Sequence, residues 1–317
     1  MNIRRFEKGV DEAAWVLVLN RANEGLEDWR AITLEEFVEA EKNPEFDFRG
    51  RFIAEIEGRP VGRLHAHVDP QREEPKGFLR FGVVPESRGR GLERLLIETG
   101  LTELAARGIN VAEAEAGSER PDQVRLLEEM GFRQVRVFSS MEMDLTGMRR
   151  NIGENREVTI RPLRITSEDD IKLFNWLDNE SFKEHFNFRP DTLEMTRYAL
   201  LSDPFVKEQE HFFAEMEGRA VGYVGVSIDE KYNAEKGVEA GDICTIGVLR
   251  AYRRAGIGTR LMLHALERLR AKGMSTALLG VDDDNPTRAI RLYERVGFRV
   301  KTKRFAFERE VGAPAGA

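Results

Sequence analysis

The sharpest change of hydrophobic period lies between residues 243 and 272. Ile243, Cys244, Thr245, Ile246, Gly247 and Val248 make a short, β-branched apolar run that predicts a buried strand. From Thr259 to Lys272 the apolar positions are Leu261, Met262, Ala265, Leu266 and Leu269, one stripe of an amphipathic helix with Arg260, Glu267, Arg268 and Arg270 opposite. Between them sits the basic turn Arg253-Arg254-Ala255-Gly256-Ile257-Gly258. Thr276 to Val281 reads as a further strand. Asn285 to Val296 then reads as a helix, with Asn285 as N-cap, Pro286 at the first helical position, Ala289, Ile290, Tyr293 and Val296 on one face, and Gly297 as the left-handed stop.

The same series occurs twice. Ile3 to Phe6 predicts a first strand, Asp11 to Glu24 a helix, and Thr33 to Glu41 another, with Thr33 and Glu36 forming a capping box. Arg51 to Leu64 predicts a hairpin about Glu57-Gly58, and Phe212 to Val224 repeats it about Glu217-Gly218. Phe81 to Leu92 matches the later strand and basic turn, and Arg125 to Phe132 matches Arg291 to Phe298. A repeat this long is a duplicated domain. The polar stretch 147–157 is the expected linker, dividing an N-terminal domain over 1–146 from a C-terminal one over 158–310, with 311–317 as a flexible tail. Helices alternating with strands in both halves place the chain in the α/β class, with a mixed sheet in each domain.

Composition narrows the function. The 317 residues are 41% hydrophobic and 33% charged, as in a soluble globular protein, and no apolar run approaches the roughly 20 residues that span a bilayer. The opening residues carry acids where a signal peptide is apolar, so a cytoplasmic location is expected. A net charge of −7 without a basic patch disfavours nucleic acid, and oligomeric state is not readable. Cys244, the single cysteine, excludes an internal disulfide and in a strand run reads as a buried, inert thiol. The five histidines lack metal spacing, although His65 and His67 share a strand face; no metal is expected.

The basic turn between strand and helix is an anion cradle. Free N–H groups and the positive dipole end favour negative charge there, and glycine lets a phosphate approach the backbone. Thr259-Arg260 after Gly258 lacks the Lys-Ser/Thr of a Walker loop, and Leu261 stands where a dinucleotide fingerprint has its third glycine. Arg-x-x-Gly-x-Gly after such a strand, followed by Asn285-x-x-x-Ala289-x-x-Leu292-Tyr293-x-x-x-Gly297-Phe298, resembles the GCN5-related N-acetyltransferases. The tandem arrangement resembles the mycothiol synthase family. The resemblance implies bent, mixed sheets whose central strands splay to admit acetyl-coenzyme A. It implies cofactor contacts from Ile246, Gly247, Val248, Arg253, Arg254, Ala255, Gly256, Ile257, Gly258, Thr259 and Asn285, with Tyr293 as the acid that protonates the departing thiolate. Asp242 is the favoured base for the acceptor amine; Glu239 and His185 are alternatives.

The two copies differ where chemistry is expected. Glu93 replaces Gly258, Glu119 replaces Asn285 and Leu127 replaces Tyr293, so transfer is expected only in the second half. A carboxylate at Glu93 would repel a pyrophosphate. The expected acceptor is a primary amine of a small molecule or a peptide N-terminus. The competing reading is a non-catalytic module that binds acyl-coenzyme A as a sensor or scaffold.

Overall fold

A computed structural model describes the chain apart from residues 70, 73–74, 148–156, 206–207 and 313–317. The expected linker and tail fall almost wholly outside the described residues. In chain order the elements are β1 (Asn2–Arg5), α1 (Glu12–Asn23), α2 (Leu34–Ala40), β2 (Arg51–Ile56), β3 (Arg59–Val68), β4 (Lys76–Val83), α3 (Leu92–Ala106), β5 (Val111–Gly117), α4 (Pro121–Glu129) and β6 (Arg133–Asp144). The second series follows as β7 (Thr159–Pro162), α5 (Glu168–Phe182), α6 (Leu193–Leu201), β8 (Glu208–Met216), β9 (Arg219–Ile228), α7 (Glu230–Lys236), β10 (Ala240–Val248), α8 (Ile257–Ala271), β11 (Thr276–Asp282), α9 (Ile290–Val296) and β12 (Arg299–Glu310).

Local chemistry explains most of these elements. Thr33 accepts a hydrogen bond from the Glu36 amide while the Glu36 carboxylate accepts one from the Thr33 amide, completing the capping box of α2. Glu57-Gly58 and Glu217-Gly218 both adopt positive φ at the two hairpin tips, the conformation of a type I′ turn whose twist matches the strands. Asn285 departs from expectation. Its side chain accepts from the amide and the hydroxyl of Thr287, closing a local turn. Arg288 at φ 55° then interrupts the chain, and the helix begins only at Ile290. An Asx side chain serves a turn as well as an N-cap.

The chain folds into two units, one of residues 1–137 with 303–317, the other of 138–302. In the first, β1 to β4 are antiparallel neighbours, β4 runs parallel to β5, and Arg304 to Glu310 of β12 pairs antiparallel with β5. In the second, β7 to β10 are antiparallel, β10 runs parallel to β11, and Phe138 to Asp144 of β6 pairs antiparallel with β11. Each half therefore receives its last strand from the other half of the sequence. The division at 147–157 is a break in sequence, and the folded units do not follow it.

Each sheet is packed on both faces. In the second unit one face carries Leu261, Met262, Leu266 and Leu269 of α8 with Tyr293 and Val296 of α9, and the other carries Ile171, Phe174 and Leu177 of α5 against Phe213 and Tyr223. The first unit repeats this with Leu92, Leu96 and Leu104 of α3 on one face and Trp15, Phe37 and Ile53 on the other. Among the described residues no helix is long and apolar enough to cross a membrane.

Candidate active site

The parallel strands of the second unit part where chemistry was expected. β10 and β11 are in register only from Ala240–Thr276 to Asp242–Leu278, although both continue. Two residues of β10, Ile243 and Cys244, then oppose the single residue Val226 of β9, a bulge that bends β10 and re-aims its side chains. The edge of Ile246, Gly247 and Val248 that faces away from β9 thus borders a gap. On its far side, at Gly280, a Cβ would meet nothing within 4 Å, so the sheet face beside the gap is open.

At the end of β10 the chain turns through Arg250 to Tyr252 into α8. Gly256 is the N-cap at φ 78° with no side-chain cap, so the first-turn N–H groups of Ile257, Gly258 and Thr259 lack a side-chain acceptor. A Cβ at Gly258 meets only ordinary contacts, Leu292 at 3.5 Å and Val248 at 4.0 Å, so the helix end is unobstructed. Ala255 is exposed beside it.

The two arginines of this turn have different surroundings. Arg253 donates to the Val248 carbonyl at 3.0 Å and the Ser181 carbonyl at 2.9 Å, and pairs with Glu184 at 3.0 Å, fastening the turn to the end of α5. Arg88 does the same in the first unit, on the carbonyls of Val83 and Ala22. Arg253 is therefore already engaged by protein, which leaves Arg254 as the cation of the turn. Arg254 is exposed and sits at φ 69°, where the first unit has Gly89 at φ 70°. Holding a side chain in the left-handed region costs about 1 kcal/mol, and such strain gathers at functional turns.

Tyr293 lies in the core beside Phe298, and burial pushes its phenol up to about 12. Its hydroxyl has no hydrogen bond among the described residues. Asp242 is exposed, immediately before the bulge. Asn285 is held in its own turn, after the end of β11. Cys244 departs from the buried thiol expected: it keeps an accessible face at the bulge, while the protein around it pushes the thiol up to about 12 and holds it un-ionised at neutral pH. Glu239 directs its carbonyl to the amides of Ser275 and Thr276. His185 is half-buried with its ring tilted against Phe182 at 4.3 Å, and burial lowers its pKa.

One feature of this face gave no signal in the sequence. The Tyr223 hydroxyl donates to Asp178 at 2.5 Å and accepts from Thr245 at 3.4 Å, while burial raises the pKa of both Tyr223 and Asp178. Tyr223 also fixes Gly247, since a Cβ there would lie 2.5 Å from its ring. Asp178 is a polar residue on an amphipathic helix and Tyr223 an aromatic in a strand, both ordinary in sequence. Among the described residues no cluster of three or more His, Cys, Asp or Glu is placed to hold a metal.

The corresponding strands of the first unit also part, since β4 runs on to Val83 and β5 to Gly117 beyond their last paired rung. β3 and β4 pair without a bulge, and β4 and β5 stay in register from Lys76–Val111 to Leu79–Ala114. At the next rung Arg80 pairs with Glu115, the residue in the place of Gly280. Glu93 stands in the first turn of α3 and Leu127 is fully buried in the place of Tyr293.

Comparison with known proteins agrees with the two units. The acetyltransferase (GNAT) family pattern matches twice, over residues 20–132 and 171–298. A mycothiol acetyltransferase from Frankia casuarinae is 27% identical over 250 residues, 76% of this chain and 69% of that protein. One from Acidothermus cellulolyticus is 27% identical over 266 residues, 81% and 78% of the two chains. One from Thermomonospora curvata reaches 36% identity over 138 residues, but covers only 43% of this chain and 46% of that protein. Among solved structures, a tandem GNAT protein from the clavulanic acid biosynthesis pathway superposes with a TM-score of 0.74 over 98% of this chain and 99% of that one, at 16% identity. A GCN5-related N-acetyltransferase from Sphaerobacter thermophilus gives 0.72 over 99% and 96%, at 20% identity.

Proposed function

Since the chain belongs to the acetyltransferase (GNAT) family, we propose that its second unit binds acetyl-coenzyme A and acetylates a primary amine of a small molecule. The observation that carries this reading is the parting of β10 and β11 beside the uncapped N-terminus of α8. Relatives named mycothiol acetyltransferases support a small-molecule acceptor over a peptide.

The residues present suit the cofactor. The uncapped amides of Ile257, Gly258 and Thr259, with the Arg254 guanidinium, would receive the pyrophosphate, and Ala255 and Gly256 keep that approach free of side chains. The free edge of Ile246, Gly247 and Val248 would hold the pantetheine arm by main-chain hydrogen bonds, with the Asn285 turn flanking the end of β11. When bound, acetyl-coenzyme A supplies the thioester carbonyl and the thiolate leaving group.

The remaining chemistry belongs to the chain. Asp242, an acceptor when ionised, takes the proton that an ammonium must lose before its nitrogen has a lone pair. Backbone N–H groups on the open edge of β10 stabilise the oxygen on which charge develops. Tyr293 would hold the phenolic proton available to the thiolate leaving group. Its pKa near 12 keeps it protonated at all working pH values, so loss of its proton contributes no alkaline decline to the rate below about that value.

The test is turnover of acetyl-coenzyme A with a panel of small primary amines, read as released thiol. Tyr293→Phe is expected to lower kcat by about 10²-fold or more while leaving cofactor affinity nearly intact, the range for loss of a positioned acid. Undiminished kcat in that variant rules out Tyr293 as the acid. Cofactor binding with no transfer to any amine in the panel favours the sensor or scaffold instead.

A further inference from the structure

The α5 face of the second unit carries a carboxylate that the proposed proton transfers do not use. Asp178 is half-buried on α5 and accepts the Tyr223 hydroxyl on Oδ1 at 2.5 Å, while Oδ2 has no hydrogen-bond partner among the described residues and stays open to solvent. Among the described residues no cation pairs with it, and the charged group that acts on it is Asp191, of the same sign. Burial raises its pKa, the phenol opposes that rise, and Asp191 adds to it. A carboxylate so placed is short of one positive partner.

Its position is beside the gap. The Tyr223 hydroxyl oxygen lies 2.8 Å from where a Cβ of Gly247 would stand and accepts from Thr245 at 3.4 Å, so a single phenol separates Asp178 from the edge of Ile246, Gly247 and Val248. The N-terminus of α8 follows the end of β10, so a cofactor with its pyrophosphate there and its arm along that edge brings its thioester toward Thr245. The first unit lacks this set. Arg253 and Arg88 fasten the equivalent carbonyls of Ser181 and Ala22, which places Leu19 where the second unit has Asp178. Counted from the hairpin tips and the strand ends, Arg63 stands in the place of Tyr223 and Arg80 in that of Thr245. The carboxylate and its phenol thus belong to the unit read as catalytic.

We propose that Asp178 binds the acceptor: its carboxylate, held by the Tyr223 hydroxyl, receives the acceptor's ammonium beside Thr245, so the second unit takes amines in their cationic form and discriminates against neutral isosteres. This rests on the reading of the second unit as an amine acetyltransferase. Asp178 orients the nitrogen, and Asp242 takes the proton that the nitrogen must lose. An ionised carboxylate is an acceptor only, and its hydrogen bond to a cation is stronger than one between neutral groups.

Calorimetry of the full chain with benzylamine and ethanolamine, each beside its alcohol, benzyl alcohol and ethylene glycol, reads binding without turnover. At least one amine is expected to bind at millimolar concentration, about tenfold or more tighter than its alcohol, the scale of a lost charged hydrogen bond. Asp178→Asn keeps an oxygen for the Tyr223 hydroxyl and removes the charge. It is expected to keep the wild-type Tm and affinity for acetyl-coenzyme A, to lose amine binding by the same factor, and to raise KM for the amine with kcat changed less. Asp178→Leu, which matches Leu19, carries the same expectation should Asp178→Asn not fold. The proposal is overturned if no amine binds, if the alcohols bind as well, or if a folded variant binds amine like the wild type. It is also overturned if Asp178→Asn lowers kcat with KM unchanged, which would make Asp178 the base. Transfer by the wild type with KM unaffected by Asp178→Asn defeats this inference alone; amine binding that depends on Asp178, without any transfer, defeats the acetyltransferase reading alone.

Discussion

Two adjacent arginines of the same type do different work at the basic turn. Arg253 fastens the end of β10 to α5 through two carbonyls and Glu184, and Arg88 repeats the first-unit version on Val83 and Ala22. Arg254 faces outward at a strained φ. Arg253→Ala is therefore expected to destabilise the second unit by about 2–3 kcal/mol, the scale of a charged hydrogen bond to a buried acceptor, measured by urea denaturation. Arg254→Ala should leave that stability unchanged or slightly higher and raise KM for acetyl-coenzyme A severalfold. The reverse pattern would exchange the two roles. Spacing in the sequence placed both arginines beside the cradle, because a motif records residue type and order and carries no direction for a long side chain. Tyr293 was legible as a core aromatic, which its burial bears out, and its part as the acid rests on the Tyr293→Phe test.

At the scale of elements, strands and hairpins were readable because their periods and turn residues are local. Thr33 with Glu36, and the Glu-Gly tips, fold as their types require. The helix expected from Asn285 begins instead at Ile290, since the same side chain closes a turn. The bulge at Ile243 and Cys244 was beyond reach: register is a relation between strands, and one extra residue leaves no mark on an apolar run. The contrast between Gly280 and Glu115 gained its meaning only once both stood beside the parting strands. Gly280→Glu places beside the gap the carboxylate that Glu115 places in the first unit, with Thr245 standing where Arg80 pairs with it. With open space at its Cβ the variant is expected to fold with near-wild-type Tm and to lose acetyl-coenzyme A binding by calorimetry. Wild-type affinity in a folded variant would show that the gap is not where the cofactor lies.

The duplication was visible in the whole chain because strand, turn and helix recur in order with similar residues. The exchange of the last strands was not, because residues 133–144 and 299–310 carry equivalent patterns and either serves as the edge partner of β5 or β11. Topology decides between them. Arg304 to Glu310 pairs along all of β5, and Phe307 and Ala306 are completely buried there. The first unit is thus unfinished until the end of the chain arrives, and long-range closure of this kind makes late contacts necessary for an early domain. A chain ending at Thr302 lacks those residues while retaining every residue of the second unit. Hydrogen exchange should then show lost protection at Val111 to Gly117 of β5, with protection retained where β6 pairs β11, along Phe138 to Asp144. A division at 147–157 requires the opposite, loss confined to the second half, so protection of β5 in the truncated chain would refute the exchange.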